Sequence, residues 1–450
     1  LNRVDMKRIF STLFLSLAFL SIYAQSALDQ ILPVRERSAF IDKVLEYRID
    51  SLLPELMDRE GLDMWIIISR EYNEDPVMET MLPSQWLSAR RRTILVFSRN
   101  EDGSMDKIAI ARYNVGKLLK GEWNIDVYPN QWDALIEIIE RKDPKTIGMV
   151  FSEDFGLADG LVYSEQKAFM VKLPAQYHDR VVSAERLAIA WLETRSRMEI
   201  EVYPTICAMG HEILQEAFSA GHITPGVTTT DDVIWWLRQR VVELGLQTWF
   251  HPSVSIQRSN MGDNAFLRSF ANRAEDEIIQ KGDLLHVDFG ISYLRLNTDQ
   301  QQHFYMLRDG ETEVPKGLAD AFKNGNKLQD ILVKNFVSGK SGNEILKDAL
   351  EEAKGQGFQA SIYTHPIGFH GHAAGPTIGL WDQQGGVAGK GDYPLFKNTC
   401  YSIELFAATE VDEWGKIVRI MLEEDGLYDD EGFRFLDGRA EEIYTIPRAR

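Results

Sequence analysis

Three of the chain's nine histidines, His365, His370 and His372, lie within eight residues of one glycine-rich stretch, "THPIGFHGHAAGP" (364–376). Glycine gives up packing and chain entropy to let other groups come close, and imidazoles gathered there suit a metal or an acid–base site. On this stretch alone, a loop that merely happens to be rich in histidine stays open. A second stretch, "KGDLLHVDFGISYLRLNTDQQQHFYML", sets Asp288 mid-strand among Leu, Val and Phe, where an unpaired carboxylate is costly to bury. Asp299 follows eleven residues later, with Gly290 and a turn region between. A hairpin would point both aspartates to one sheet face, and neighbouring carboxylates repel unless a cation or a shared proton relieves them. The alternative is one exposed aspartate and one capping a turn. Glu404 in "CYSIELF" and the run Glu423, Glu424 and Asp425 closing "VRIMLEED" repeat the pattern of an acid in an apolar, strand-like context. Each alone is most often paired or at an edge. Together, hard carboxylates and one imidazole suit manganese, cobalt, zinc or iron, and two such ions can share bridging carboxylates.

Elements must bring these residues together. From about residue 36 to 190, runs rich in Ile and Val read as strands: "MWIIIS" (64–69), "RTILVFS" (92–98), "KIAIARY" (107–113) and "TIGMVF" (146–151). Between them, "FIDKVLEYRIDSLLPELMDREG" and "QWDALIEIIERK" carry apolar residues at helical spacing. This predicts an α/β domain with a mostly buried sheet. No glycine fingerprint follows a strand and no P-loop occurs, which argues against a nucleotide role and for a support or lid. Past residue 190 the texture changes. A long helix is expected from Ser196 to Ala220, a second over "TTTDDVIWWLRQRVVELG", and two more over "LADAFKNGNKLQDILVKNF" and "SGNEILKDALEEAKGQG", interleaved with the acid-bearing strands. A domain boundary is placed near 190, and no short-period repeat or low-complexity tract is seen.

The 450 residues allow two or three domains, and 44% hydrophobic with 26% charged residues is an ordinary globular balance. The net charge of −19 argues against a general nucleic-acid binder, which needs a basic face. Met6, Lys7 and Arg8 open a nearly uninterrupted apolar run to Ala24, the pattern of a secretory signal over residues 1–24. Residues 1–5 read as an over-extended start. The run is short for a membrane span, so no stable membrane insertion is expected after cleavage, and the protein is expected to be secreted or periplasmic. Cys207 and Cys400 cannot form a thiolate metal site, and two buried free thiols are expected, with one disulfide as the alternative.

The order Asp288, Asp299, His365, Glu404, Glu423 resembles the five-ligand set of the pita-bread metallopeptidases, which include Xaa-Pro aminopeptidases, prolidases and methionine aminopeptidases. The eleven-residue gap between the aspartates, the seven residues from His365 to His372, and Gly432 nine residues beyond Glu423 all match that pattern. The resemblance covers about 194 to 436. It implies a pita-bread α+β catalytic domain over 194–450, preceded by a creatinase-like α/β domain over 25–193. It further implies two divalent ions, manganese first and cobalt or zinc as alternatives. Asp288 would bind one ion through both oxygens, Asp299 and Glu423 would bridge, and His365 and Glu404 would complete the ligands of the second ion. Glu404 would also act as general base toward a metal-activated hydroxide, and His372 would donate to the oxyanion. The implied activity is hydrolysis of amino-terminal peptide bonds, most plausibly Xaa-Pro, of aminopeptidase or prolidase type, on a peptide substrate. A homodimer is left open.

Some features depart from the pattern. Where the family usually carries a substrate-binding histidine, this chain has Phe270 or Ala271, and Leu405 follows Glu404 where proline is common. Glu424 competes with Glu423 as last ligand, since a one-residue shift flips the strand face. His251 is a candidate substrate contact, with a structural role as the alternative, and His370 is expected to be a bystander or a supporting residue. Two other readings stay in play: a metal-free creatinase-like amidinohydrolase, and a peptide-binding protein on a catalytically altered fold. Burying four unneeded carboxylates together would be destabilising, which weighs against the first.

Overall fold

The computed structural model describes residues 26–260 and 277–448. The expected signal segment and the Phe270 position lie outside them. Among the described residues, no helix is long and apolar enough to cross a membrane.

The amino-terminal half is built on a mixed six-stranded sheet. Its strands are β1 (Met64–Arg70), β2 (Arg92–Arg99), β3 (Met105–Ala109), β4 (Lys120–Gly121), β5 (Ile147–Met149) and β6 (Val181–Ser183), in the order β4-β3-β2-β1-β5-β6. The unbroken apolar runs of β1 and β2 follow from burial on both faces. Trp65, Ile67, Leu95 and Phe97 pack under α1 (Val34–Tyr47), α2 (Leu53–Glu60), α3 (Pro76–Met81) and α6 (Glu185–Glu193). Met64, Ile66, Ile94 and Val96 pack under α4 (Gln131–Lys142) and α5 (Tyr163–Lys172). The stretch read as one helix over 40–61 is interrupted. A π turn over Arg48–Leu52 separates α1 from α2. Pro54 explains it, because proline cannot donate to the carbonyl one turn earlier and the hydrogen-bond ladder must shift register.

The carboxy-terminal half starts with α7 (Arg197–Ala217), whose capping box pairs Ser196 with Glu199, and α8 (Thr230–Glu243), capped by Thr229 and Asp232. Strands β7 (Ser253–Gln257), β8 (Leu284–Phe289) and β11 (Gln300–Met306) form one sheet with β19 (Tyr444–Ile446). Between β8 and β11, the short hairpin β9 (Ser292–Tyr293) and β10 (Leu296–Asn297) turns over Leu294 and Arg295, both at positive φ. Helices α9 (Lys316–Lys334) and α10 (Gly342–Gly355) follow.

Three pairs of strands then run almost end to end: β12 (Gln359–Ile362) into β13 (His365–Ile367), β14 (Thr399–Ser402) into β15 (Leu405–Val411), and β16 (Lys416–Leu422) into β17 (Asp425–Asp429). In each pair the first and second strands belong to different sheets. β12, β15 and β16 form one, and β13, β14, β17 and β18 (Gly432–Phe435) form the other. The chain therefore changes sheet at residues 363–364, 403–404 and 423–424. This corrects the expectation that Glu404 lies within a strand and that Glu423 ends one: both fall in the breaks. A break releases the backbone from the ladder and lets a side chain leave the strand's alternation. Helices α7 and α8 cover the β7–β8–β11 sheet from one side, and α9 and α10 pack on β15, β16 and their neighbours.

Candidate metal centre

The breaks converge on β8 and β11. In that antiparallel pair Gln301 lies opposite Asp288, and a bridge from Gln301 N to Glu423 O, 2.9 Å, ties the third break to the same point. Ligand-type atoms of Asp288, Asp299 and Glu423 all lie within 4.8 Å of one another, as do those of His365, Glu404 and Glu423, and those of Asp299, His365 and His372. The first two sets share Glu423. The hairpin inferred from the sequence is thus present as a longer excursion, and it brings the two aspartates to one place.

Local structure fixes each member. Asp299 N donates to Asp425 Oδ2 at 3.1 Å, and the buried Asp425 is also met by Cys207 Sγ at 3.6 Å. Ser402 Oγ donates to Glu423 Oε1 at 2.7 Å. His365 Nδ1 faces the carbonyl of Pro366 at 3.0 Å, so Nδ1 carries the proton there. Its Nε2 consequently points at Glu423 Oε1, 3.4 Å, and Asp299 Oδ2, 3.6 Å. In the neutral ring that is a lone pair facing lone pairs.

The glycines of the histidine stretch have packing reasons. Gly371 lies flat beneath the Trp249 ring, where a Cβ would come within 2.4 Å of ring carbons. A Cβ on Gly368 would meet the Arg195 guanidinium at 2.9 Å, so this glycine serves close packing. Phe369 between them is held by the guanidinium groups of Arg48 and Arg195. His372 then stands edge-on to both His365 and Trp249, with ring centroids 4.7 and 5.2 Å away.

The electrostatics state what is missing from these residues alone. Burial, reinforced by Glu423 and Asp288, pushes the Asp299 carboxyl well above its usual range. Burial and then Glu423 do the same to Glu404, with His365 opposing. Burial works against a charged His365, but the Glu423 carboxylate 3.4 Å from Nε2 wins and raises it to about 9. Burial and then His365 lower His372 to about 4, which leaves a neutral imidazole able to donate. Buried Asp299 Oδ1 and His365 Nε2 find no hydrogen-bond partner. Orphaned oxygen and nitrogen atoms within a crowd of carboxylates fit divalent cations, whose charge would relieve the repulsion and whose bonds would satisfy the atoms.

Not every singled-out residue joins the cluster. Glu424 turns the other way: its Oε2 meets His211 Nε2 at 2.8 Å, and His211 Nδ1 meets Asp437 at 2.7 Å. Glu423 and not Glu424 faces the other acids. His251 packs on Trp235 and takes Arg238 Nη1 at Nδ1, 3.1 Å. His370 is driven to about 4 by burial and then by Arg195, and belongs to none of the three groups. Both cysteines are free and buried. The sequence reading missed Gln301 and Ser402, and gave Asp425 no part beyond its place in the acidic run. Gln300, Gln301 and Gln302 are all buried in β11, and a run of amides inside an otherwise apolar strand was the available signal.

The sequence profile of metallopeptidase family M24 matches residues 203–428, half of the chain. Solved structures share the fold. An X-Pro aminopeptidase from Thermotoga maritima MSB8 superposes with a TM-score of 0.61 at 17% identity, over 86% of this chain and 99% of that one. An Xaa-Pro dipeptidase from Bacillus anthracis gives 0.57 at 15%, over 92% and 100%, and a prolidase from Pyrococcus furiosus 0.53 at 17%, over 86% and 99%. No curated protein sequence matches the chain. The bent strands around the acidic cluster are those of the pita-bread fold, preceded by an α/β unit, as the resemblance implied. Profile, fold and acidic cluster agree: the chain belongs to metallopeptidase family M24.

Proposed function

We propose that the protein is an exported di-metal peptidase that hydrolyses Xaa-Pro bonds at free amino termini. One observation carries the reading: two three-ligand groups, Asp288–Asp299–Glu423 and His365–Glu404–Glu423, overlap at Glu423. Overlap at a carboxylate is what a pair of cations sharing one bridge requires. Asp288 would hold one ion, Asp299 and Glu423 both, and His365 and Glu404 the second. Manganese is the first choice for a set of four carboxylates and one imidazole, with cobalt or zinc as alternatives. When bound, the pair supplies a water acidic enough to ionise near neutral pH and polarises the scissile carbonyl. Glu404 accepts the proton of the attacking water and delivers it to the leaving amine. His372, neutral and beside His365, donates to the oxygen that gains charge. Trp249 packs edge-on against His372 and fixes its ring.

The Xaa-Pro assignment rests on the X-Pro aminopeptidase and Xaa-Pro dipeptidase whose folds this chain shares and on Gly432 beyond Glu423. Export, to the periplasm or outside, rests on the Met6–Ala24 pattern, and residues 25–193 and 194–450 are taken as the two domains of the mature chain. The test is hydrolysis of Xaa-Pro dipeptides and longer Xaa-Pro peptides with added manganese. Wild type should cleave at least one class, and Glu404→Gln should lose roughly 10²–10⁴-fold in kcat. Equal rates would remove Glu404 as the base. A protein that holds two cations yet cleaves neither class would remove the substrate assignment.

A further inference from the structure

The Gln301 carboxamide sits between two candidate ligands. Its Nε2 donates to Glu404 Oε1 at 2.5 Å and to Glu423 Oε2 at 2.7 Å. Its Oε1 faces His286 Nε2 at 2.9 Å, and a carbonyl oxygen can only accept, so the imidazole donates. That bond fixes which way round the amide lies. Both side chains are buried on adjacent strands, Gln301 on β11 and His286 on β8. Each oxygen of Glu423 therefore carries one outer donor, Ser402 Oγ on Oε1 and Gln301 Nε2 on Oε2, and keeps one lone pair for a cation. Glu404 Oε1 is tied to Gln301, and Tyr363 also hydrogen-bonds the Glu404 carboxylate.

We propose that Gln301, oriented by His286, is a positioning residue that yokes Glu404 to the bridging Glu423 and so builds the cation site formed with His365. The inference rests on the two-cation reading above. Gln301 hydrogen-bonds two of the three residues in the His365–Glu404–Glu423 group but only the shared member of the Asp288–Asp299–Glu423 group. Losing the amide should therefore unbalance the two sites. Outer hydrogen bonds to ligands are commonly worth about 10–100-fold in metal affinity.

The experiment is calorimetric titration of the full metal-free protein with manganese, read with the electron spin resonance of the bound ion. Wild type should take two ions and give a spin-coupled pair. Gln301→Met, similar in shape but without donors, should keep one site near wild-type affinity. It should weaken the other about 10–100-fold and show an isolated ion at one equivalent. His286→Leu should weaken that same site, and His286→Gln, which restores a donor, should recover it. Two undiminished sites in both Gln301→Met and His286→Leu would overturn the inference. So would equal weakening of both sites together with a lower urea midpoint of the metal-free protein, which marks general damage. A wild type that binds no manganese would instead overturn the metallopeptidase reading, and this inference with it.

Discussion

Glu423 and Glu424 are identical in chemistry and adjacent in the chain, yet the structure gives them opposite duties. Glu423 faces Asp299, His365 and Ser402, whereas Glu424 pairs with His211. Substituting each in turn separates ligand from support. Glu423→Gln should weaken manganese binding at both sites by at least about 10-fold, because the shared member is damaged. Glu424→Gln should leave two ions bound but lower stability by roughly 1–3 kcal/mol, as His211 loses a charged partner. Metal stoichiometry and urea midpoints on the two variants check this, and a Glu424→Gln protein that cannot hold two ions would reverse the assignment. The spacing to Gly432 favours Glu423 in the sequence but leaves Glu424 open, because a one-residue shift flips a strand face and residues at a break no longer obey that alternation.

The excursion between Asp288 and Asp299 depends on close backbone approach. A Cβ on Gly290 would meet the Thr298 carbonyl oxygen at 2.2 Å and Trp249 Nε1 at 2.5 Å. The Trp249 indole in turn donates to that carbonyl at 2.8 Å. Neither a backbone carbonyl nor a ring held by it can yield cheaply. Gly290→Ala should cost about 1–3 kcal/mol or more in urea unfolding and weaken manganese binding, since it moves Asp299 relative to Asp288. Gly355→Ala, near the end of α10 with open space around it, should be close to neutral. Equal effects from both would mean that the tight approach at Gly290 carries no cost of its own. The sequence placed Gly290 between the aspartates, but the neighbour that makes the glycine necessary is Trp249, some forty residues earlier.

At the scale of the molecule, the two halves meet over buried charge. Arg48 Nη1 pairs with Glu199 Oε2 at 2.8 Å, Arg195 Nη1 with Glu199 Oε1 at 3.0 Å, and the same guanidinium groups hold Phe369. Close by, Glu193 on α6 faces Tyr393, whose hydroxyl donates to it at 3.3 Å, while a Cβ on Gly375 would meet its other oxygen at 3.0 Å. Burial raises the Glu193 carboxyl to about 8, with Arg59, Tyr393 and Arg195 opposing and Glu60 adding to it. The folded state therefore binds a proton that the unfolded chain releases near pH 4.5. Stability attached to this group is complete below pH 4.5 and declines as pH rises toward about 8. Glu193→Gln removes the decline. The variant should gain roughly 1–3 kcal/mol over wild type between pH 5 and 8, read from urea midpoints across that range. Parallel pH profiles for the two proteins would show that Glu193 ionises freely.

The chain's own order of residues determined which side chains could hold cations, since an acid within an apolar run is costly unless something compensates it. It also determined several helices, whose caps and periodicity are local: α4 falls on the expected residues, and α7 and α8 begin at their Ser196 and Thr229 boxes. Tertiary structure decided the rest. Only the folded chain shows three strands crossing between sheets beside the candidate ligands, Glu424 turned aside, and one amide joining Glu404 to Glu423. The reason is range: caps and apolar periods act over a few residues. The Gln301–Glu404 and Gln301–Glu423 bonds span 103 and 122 residues, and form only when separate sheets have already packed.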